Sequence, residues 1–319
     1  MKCLYCGKLL KDTCTDSERN NLWHNKCVKA FFGTKKMPII DISDEQLENL
    51  ANDTVNKGLT VPGVQKKLSL HLSLDMDTRL TIVDYPTGYI LKPQTEEYSN
   101  LPEFEDLAMR LAELASIQTV PHALIKINEK YAYITKRIDR DILEEHISMY
   151  AMEDFCQLSN RLTLDKYKGS YENCGRIIKK YSICPGLDLS ELFLRVVFSF
   201  VIGNSDMHLK NFSLKETAPG NRQFSLSTAY DLLPVNIILP TDEEQFALTL
   251  NGKKRNIRKK DFMIFAENCG ITSKSAQNMV KKICSLQDKF LEQCEESYLP
   301  ADLKQNMKEL ILTRIESLS

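Results

Sequence analysis

Asp206 and Asn211 lie five positions apart in the segment Gly203-Asn-Ser-Asp-Met-His-Leu-Lys-Asn211, and Asp231 follows 20 positions later. A carboxylate, an amide oxygen and a second carboxylate in that order suit phosphoryl transfer. That chemistry needs hard oxygen ligands for magnesium, an acceptor for the nucleophile's proton, and a cation against the phosphates. Asp206 is the candidate base, and Asn211 and Asp231 are the candidate magnesium ligands. Lys92 ends a strand-like run, Tyr89-Ile-Leu-Lys92, and is the candidate cation, with Glu105 on the following helix as its partner. His208 either orients Asp206 or packs beneath it. Lys210 either stabilises charge on the moving group or is solvated. Asp and Asn also populate loops because they satisfy local backbone groups. The ordered set, rather than any one pair, points to phosphoryl transfer.

Two further segments carry residue types capable of chemistry. Thr60-Val-Pro-Gly-Val-Gln-Lys-Lys67 holds a single glycine, so on spacing alone it reads as a proline-glycine turn. Cys3-x-x-Cys6 followed by His24-x-x-Cys27 has the pairing of a tetrahedral zinc site, with Cys14 as a spare candidate. Structural zinc would explain how a short, polar segment stays folded. No basic helix follows it, so packing against the neighbouring domain is a simpler role than DNA binding. The other cysteines, from Cys156 to Cys294, show no ligand spacing and read as buried small hydrophobes.

The elements that must position these residues follow from periodicity. Ser43 and Gln46 mark the start of a helix over 41–52. Residues 67–74 alternate apolar and polar as a half-buried strand does, and 80–83, 89–91, 123–127 and 131–136 are further strands. Residues 102–117 form an amphipathic helix with Phe104, Leu107, Ala108 and Leu111 on one stripe. Helices are then predicted over 151–161, 172–181 and 189–202. A hairpin joins 212–214 to 224–226, a second turns at Asn251-Gly252, and helices run to the end. The predicted domains are a Cys/His segment (1–37), a strand-rich lobe (38–139) and a helical lobe (140–319), an α+β organisation. Lys plus Arg number 42 against 43 Asp plus Glu, which argues against a dedicated nucleic-acid binder. The longest apolar stretch, 192–203, is too short to span a membrane and carries Arg195. With no signal-peptide pattern at Met1, a cytoplasmic protein is expected.

Taken together the segments resemble the HipA-like serine/threonine kinases, the bacterial toxin kinases of HipBA-type modules. The matching pieces are Gly63-Val-Gln-Lys-Lys67, Tyr89-Ile-Leu-Lys92, Glu105 leading into Leu111-Ala112, Arg137-Ile-Asp-Arg140, Glu153-Asp-Phe-Cys-Gln157, Gly203–Asn211 and Tyr230-Asp-Leu-Leu-Pro234. The Asp206–Asn211 spacing is also that of the protein-kinase catalytic loop. The resemblance implies a bilobal kinase-like fold, Asp206 as base toward a Ser or Thr hydroxyl, and magnesium on Asn211 and Asp231. It implies ATP phosphates on Lys92 and under a loop of Val61, Pro62, Gly63, Val64 and Gln65, with adenine beside Thr135, Lys136 and Arg137. Thr60 falls where family members can carry an autophosphorylated Ser. Family members often have Glu where Lys136 stands. Only about 60 residues precede the Gly-x-Gln segment at Gly63, which implies a short form such as HipT of HipBST-type modules. That in turn implies a HipB-like DNA-binding antitoxin and a separate small HipS-like subunit as partners. The implied substrate is a protein, such as an aminoacyl-tRNA synthetase. A kinase-like nucleotide binder without turnover and a small-molecule or lipid kinase are the alternative readings.

Overall fold

The computed structural model describes residues 1–40, 67–73, 78–81, 87–127, 129–143 and 146–318. The predicted helix over 41–52 and the 60–65 loop lie outside them. The chain divides into two compact units: Met1–Asp106 with Val120–Ile147, and Leu107–Thr119 with Ser148–Ser319. Among the described residues no helix is long and apolar enough to cross a membrane.

The first unit is built on a six-stranded sheet. Two short helices, α1 (Asp16–Asn21) and α2 (Asn25–Phe32), precede it. Its strands are β1 (Ile39–Ile40), β2 (Leu68–Ser73), β3 (Arg79–Thr81), β4 (Tyr89–Pro93), β5 (His122–Ile127) and β6 (Lys130–Lys136), in the order β1-β3-β2-β4-β6-β5. Only β1–β3 is parallel; β4 and β6 pair with Leu91 opposite Ile134 and Lys92 opposite Tyr133. Strands β2 to β6 form close to where the sequence places them, with Leu68, Leu70, Leu91, Leu124 and Ile134 in the core, whereas β1 was not expected. Helix α3 (Leu101–Leu114) connects β4 to β5 and carries Glu105. Leu101 to Met109 are all buried, including Glu103, Glu105 and Asp106, so this helix is enclosed well beyond the single stripe that amphipathicity predicts. A two-stranded pair follows, β7 (Arg140–Leu143) with β8 (His146–Met149).

The second unit is mainly helical and opens with a departure from expectation. The helix predicted over 151–161 is instead β9 (Met152–Asp154) followed by the four-residue α4 (Phe155–Leu158). Tertiary pairing overrides local propensity here, since Leu214 on β10 (Ser213–Glu216) draws Glu153 into a ladder. Asp154 then caps α4 reciprocally with Gln157, which starts the helix no earlier than Phe155. The hairpin of β10 with β11 (Phe224–Leu226) forms as predicted, with Leu214 opposite Leu226. Asn251 and Gly252 both adopt positive φ, the signature of a type I′ turn, closed by a single Leu250–Lys253 bridge.

Helix α5 (Tyr171–Tyr181) matches its prediction, and α6 (Pro185–Ile202) starts a turn earlier than predicted, with Pro185 in its first turn. Helix α6 is the core: Leu192, Phe193 and every residue from Val196 to Ile202 are buried. Phe193 stacks on Phe265, and Phe200 meets Phe246 and Phe262 edge-on or tilted. The remaining helices are α7 (Val235–Ile238), α8 (Lys259–Cys269), α9 (Ser273–Cys284), α10 (Gln287–Glu296) and α11 (Ala301–Glu316). Gly203 ends α6 at φ +71, and a Cβ there would lie 2.5 Å from Leu310 on α11. Only glycine meets both demands, and the loop of chemical interest begins at that residue.

Candidate active site

In the helical unit the Gly203–Asn211 loop is held along its length by hydrogen bonds. Gly203 and Asn204 donate backbone N–H groups to Phe200 and Ser199 at the end of α6. Asn204 Oδ1 accepts from the Asp206 N–H at 3.2 Å, and Ser205 donates to Asp242 at 2.6 Å. Tyr171 donates to the Met207 carbonyl, Leu209 N–H to the Lys166 carbonyl, and Tyr230 to the Lys210 carbonyl. A loop so braced can hold a reacting group in one geometry.

Asp206 is partly buried, its side chain 28% exposed. Its Oδ1 accepts a 2.7 Å hydrogen bond from Tyr167. Burial raises its pKa, and Asp231 and Asp242 push the same way, while Tyr167 and Lys166 pull it down; the balance lies at about 6. Such a carboxylate is ionised at neutral pH yet basic enough to take a proton. Tyr167 itself is raised above the phenol range by burial and by Asp206, so it stays a donor.

Asn211 is buried, and its Nδ2 donates to the carbonyls of Asp206 and Asp231 at 3.4 and 3.3 Å. Two carbonyl acceptors require the NH2 group on that side, which leaves the amide oxygen as the edge available to a cation. Asp231 sits at φ +59, a left-handed conformation that Asp tolerates better than most residues. Asp206, Asn211 and Asp231, 25 positions apart in sequence, are thus joined through one side-chain amide.

His208 packs against Tyr167, and Lys210 is in an ion pair with Asp154 rather than solvated. His208 is buried, with Nε2 3.9 Å from Asp206 Oδ2, too far for a hydrogen bond. Its ring meets Tyr167 edge-on at 5.2 Å. Burial, helped by Lys166, drives its pKa down to about 4, so the ring is neutral at pH 7. Lys210 is paired at 2.6 Å with Asp154, the residue that caps α4. Sequence reasoning missed Tyr167, Lys166 and Asp242. Each lies in a loop with no motif around it, and only folding brings it to Asp206.

In the sheet unit, Lys92 Nζ lies 2.7 Å from Glu105 Oε1, and both side chains are buried. Lys92 also sits 5.6 Å from the Tyr133 ring centre. The pairing predicted from sequence is therefore formed. Thr135 donates its hydroxyl to the Pro121 carbonyl. Lys136 lies over the Phe31 ring, its pKa lowered by burial. Arg137 grips Asp139 through two hydrogen bonds and Arg140 adds a third, which hold Asp139 well below the usual carboxylate range despite its burial. Thr60, Val61, Pro62, Gly63, Val64 and Gln65 lie outside the described residues. Cys3, Cys6, His24 and Cys27 converge, with their ligand atoms all within 4.8 Å of one another. Cys14 is not part of that group.

Comparison with known proteins adds a family. The model of the HipA-like C-terminal domain matches residues 59–290. The "Putative kinase" of Haemophilus influenzae is 24% identical over 269 residues, covering 76% of this chain and 77% of its own length. "Putative kinase Y4mE" of Sinorhizobium fredii is 26% identical, covering 76% of this chain and 59% of its own length. "Putative kinase Y4dM" of the same organism is 33% identical over 190 residues, covering 54% of this chain and 44% of its own length. The chain thus spans about half of the two Sinorhizobium relatives. Among solved structures, the Shewanella oneidensis HipA in a complex with HipB and operator DNA is similar at TM-score 0.68 and 19% identity, over 81% of this chain and 64% of that one. The Helicobacter pylori proinflammatory kinase CtkA is similar at TM-score 0.55 and 16% identity, over 75% of this chain and 87% of that one.

Proposed function

As this chain belongs to the HipA-like C-terminal domain family, we propose that it is an ATP- and magnesium-dependent serine/threonine protein kinase with Asp206 as its catalytic base. The observation that carries this reading is the join of Asp206, Asn211 and Asp231 through the Asn211 amide. The donor set fits magnesium: one amide oxygen turned away from its own hydrogen bonds, and a carboxylate, both hard ligands. Asn211 and Asp231 would hold the ion, which when bound neutralises charge on the phosphates. Asp206 takes the proton from the acceptor hydroxyl. Tyr167 occupies Oδ1 of Asp206 and so leaves Oδ2 for that proton. Lys92, fixed by Glu105, contacts the phosphates, as the strand Lys of kinases does. His208 is a packing residue beneath the loop rather than an acid or base, and Lys210 fixes the loop to Asp154.

Partners follow from the same reading. The similar Shewanella protein is seen with HipB and operator DNA, which supports a HipB-like antitoxin as partner here, with a HipS-like subunit supplied separately. The target is a protein hydroxyl, an aminoacyl-tRNA synthetase by family analogy, and Thr60 is a candidate for autophosphorylation. Incubation with γ-labelled ATP, magnesium and candidate acceptors tests this. Label is expected in a protein, lost on chelation of magnesium, and reduced on the order of 10²-fold or more in Asp206→Ala. Nucleotide binding with equal, background label in both forms would mean a binding protein without turnover. Label in a small molecule or lipid alone would overturn the protein-kinase assignment.

A further inference from the structure

Among the described residues, Cys3, Cys6, His24 and Cys27 form a cluster to which phosphoryl transfer gives no role. The two halves of the cluster are built differently. Cys3 and Cys6 flank a tight turn in which the Cys3 N–H bonds the Lys8 carbonyl and Gly7, at φ +69, returns its N–H to the Cys3 carbonyl. His24 is the N-cap of α2 and Cys27 lies three residues on, in the first turn, so both side chains face the same way. The His24 N–H points at Cys3 Sγ at 3.4 Å. His24 Nδ1 lies 3.4 Å from Cys6 Sγ and 3.8 Å from Cys27 Sγ.

Those separations carry the chemistry. A tetrahedral zinc with Zn–S of about 2.3 Å and Zn–N of about 2.0–2.1 Å sets its ligand atoms about 3.6–3.8 Å apart. The two Nδ1–Sγ separations, 3.4 and 3.8 Å, bracket the S–N edge, and all four ligand atoms lie within 4.8 Å of one another. Three sulfurs and one imidazole are the donor set of a closed structural zinc site.

The location of the cluster shows what such an ion would hold. Helix α1 buries no residue, and residues 1–33 have one small core of their own, the ring cluster of Tyr5, Trp23, Phe31 and Phe32. That cluster is continued onto the sheet. Trp23 donates its indole N–H to the Leu124 carbonyl at 3.1 Å, and Leu124 N–H reaches the Leu4 carbonyl. Leu124 belongs to β5, the edge strand, so the segment satisfies backbone groups that an edge leaves open. Phe31 and Phe32 pack on Tyr89 of β4, and Lys136 of β6 lies over Phe31. Leu4 follows Cys3, and Trp23 precedes His24. The ligands therefore sit next to the very residues that grip the sheet.

We propose that Cys3, Cys6, His24 and Cys27 bind one structural zinc ion, and that this ion clamps residues 1–33 onto β4, β5 and β6. Because β4 carries Lys92, the clamp also stiffens the strands that the kinase reading assigns to nucleotide binding; this last step rests on that reading.

The test uses the full chain and its single tryptophan, Trp23, which is buried and so reports on the clamp directly. Metal analysis of purified protein is expected to find about one zinc per chain. Removal with a strong chelator is expected to shift Trp23 emission to longer wavelength, and added zinc to restore it. Cys6→Ser, at a half-buried position, loses the metal, whereas Cys14→Ala keeps it. Absence of zinc from protein whose Trp23 emission is already that of a buried indole would overturn the site, as would full zinc content in Cys6→Ser. A fluorescent ATP analogue provides the second readout, with affinity expected to fall several-fold on zinc removal. Zinc bound and Trp23 shifted, but nucleotide affinity unchanged, would overturn the stiffening role alone. No nucleotide binding by zinc-loaded protein would refute the kinase reading and leave the zinc site standing.

Discussion

Tyr167→Phe removes one hydroxyl and leaves the ring that packs against His208. The lost interaction is the 2.7 Å hydrogen bond to Asp206 Oδ1, which lowers the Asp206 pKa. A hydrogen bond to a charged group is worth about 1.5–3 kcal/mol net, and one pKa unit corresponds to about 1.36 kcal/mol. The ceiling on the upward shift is therefore about one to two units. The Asp206 side chain is 28% exposed, so water replaces part of the lost bond and about one unit is expected. As the proposed base, Asp206 would act only when ionised, so activity should fall as pH drops through its pKa, about 6 in the wild type. In Tyr167→Phe that acid limb moves to about pH 7, so kcat/KM drops about two-fold at pH 7 and about five-fold at pH 6, with little loss above pH 8. The assay is the pH profile of kcat/KM for label transfer from ATP. A uniform loss at all pH values, with the acid limb unmoved, would refute the claim that Tyr167 sets the ionisation of Asp206.

Other expectations follow from the same structure. Lys92→Met leaves Glu105 buried without its cation, so it should destabilise the protein by about 3–5 kcal/mol in denaturant titration, and Glu105→Gln added to it should recover part of the loss. Gly203→Ala places a Cβ against Leu310 at φ +71; thermal unfolding should show a loss of at least about 1–2 kcal/mol from backbone strain alone, with activity falling further because the loop proposed to carry the base starts there. Lys210→Met breaks a partly exposed pair with Asp154 and should cost about 1 kcal/mol or less. A collapse of kcat in Lys210→Met with stability intact would instead place Lys210 on the reacting group.

The sequence by itself determined which reactive residue types stand in which order, and the nature of most elements. The order Lys92, Glu105, Asp206, Asn211, Asp231 was legible as the set of types that the proposed phosphoryl transfer would need, and the Lys92–Glu105 pair forms as expected. The strands at 68–73 and 89–93 and the buried helix ending at Gly203 were legible because burial imposes a period on the chain. The four candidate zinc ligands, which the fold brings together, were legible because tetrahedral sites need two close pairs.

Tertiary structure alone decided the rest. Residues 152–154 became a strand because β10 lies beside them, a partner some 60 positions away that no local window contains. Tyr167 reached Asp206 across 39 positions, and Lys210 turned to Asp154 across 56. The pKa of about 6 at Asp206 is set by burial and by neighbours drawn from three other segments, at 166–167, 231 and 242. Residue type tells which reactions a side chain is capable of. Which protons it holds, and what it touches, depend on desolvation and on distances of a few ångströms, and these exist only once the chain has folded.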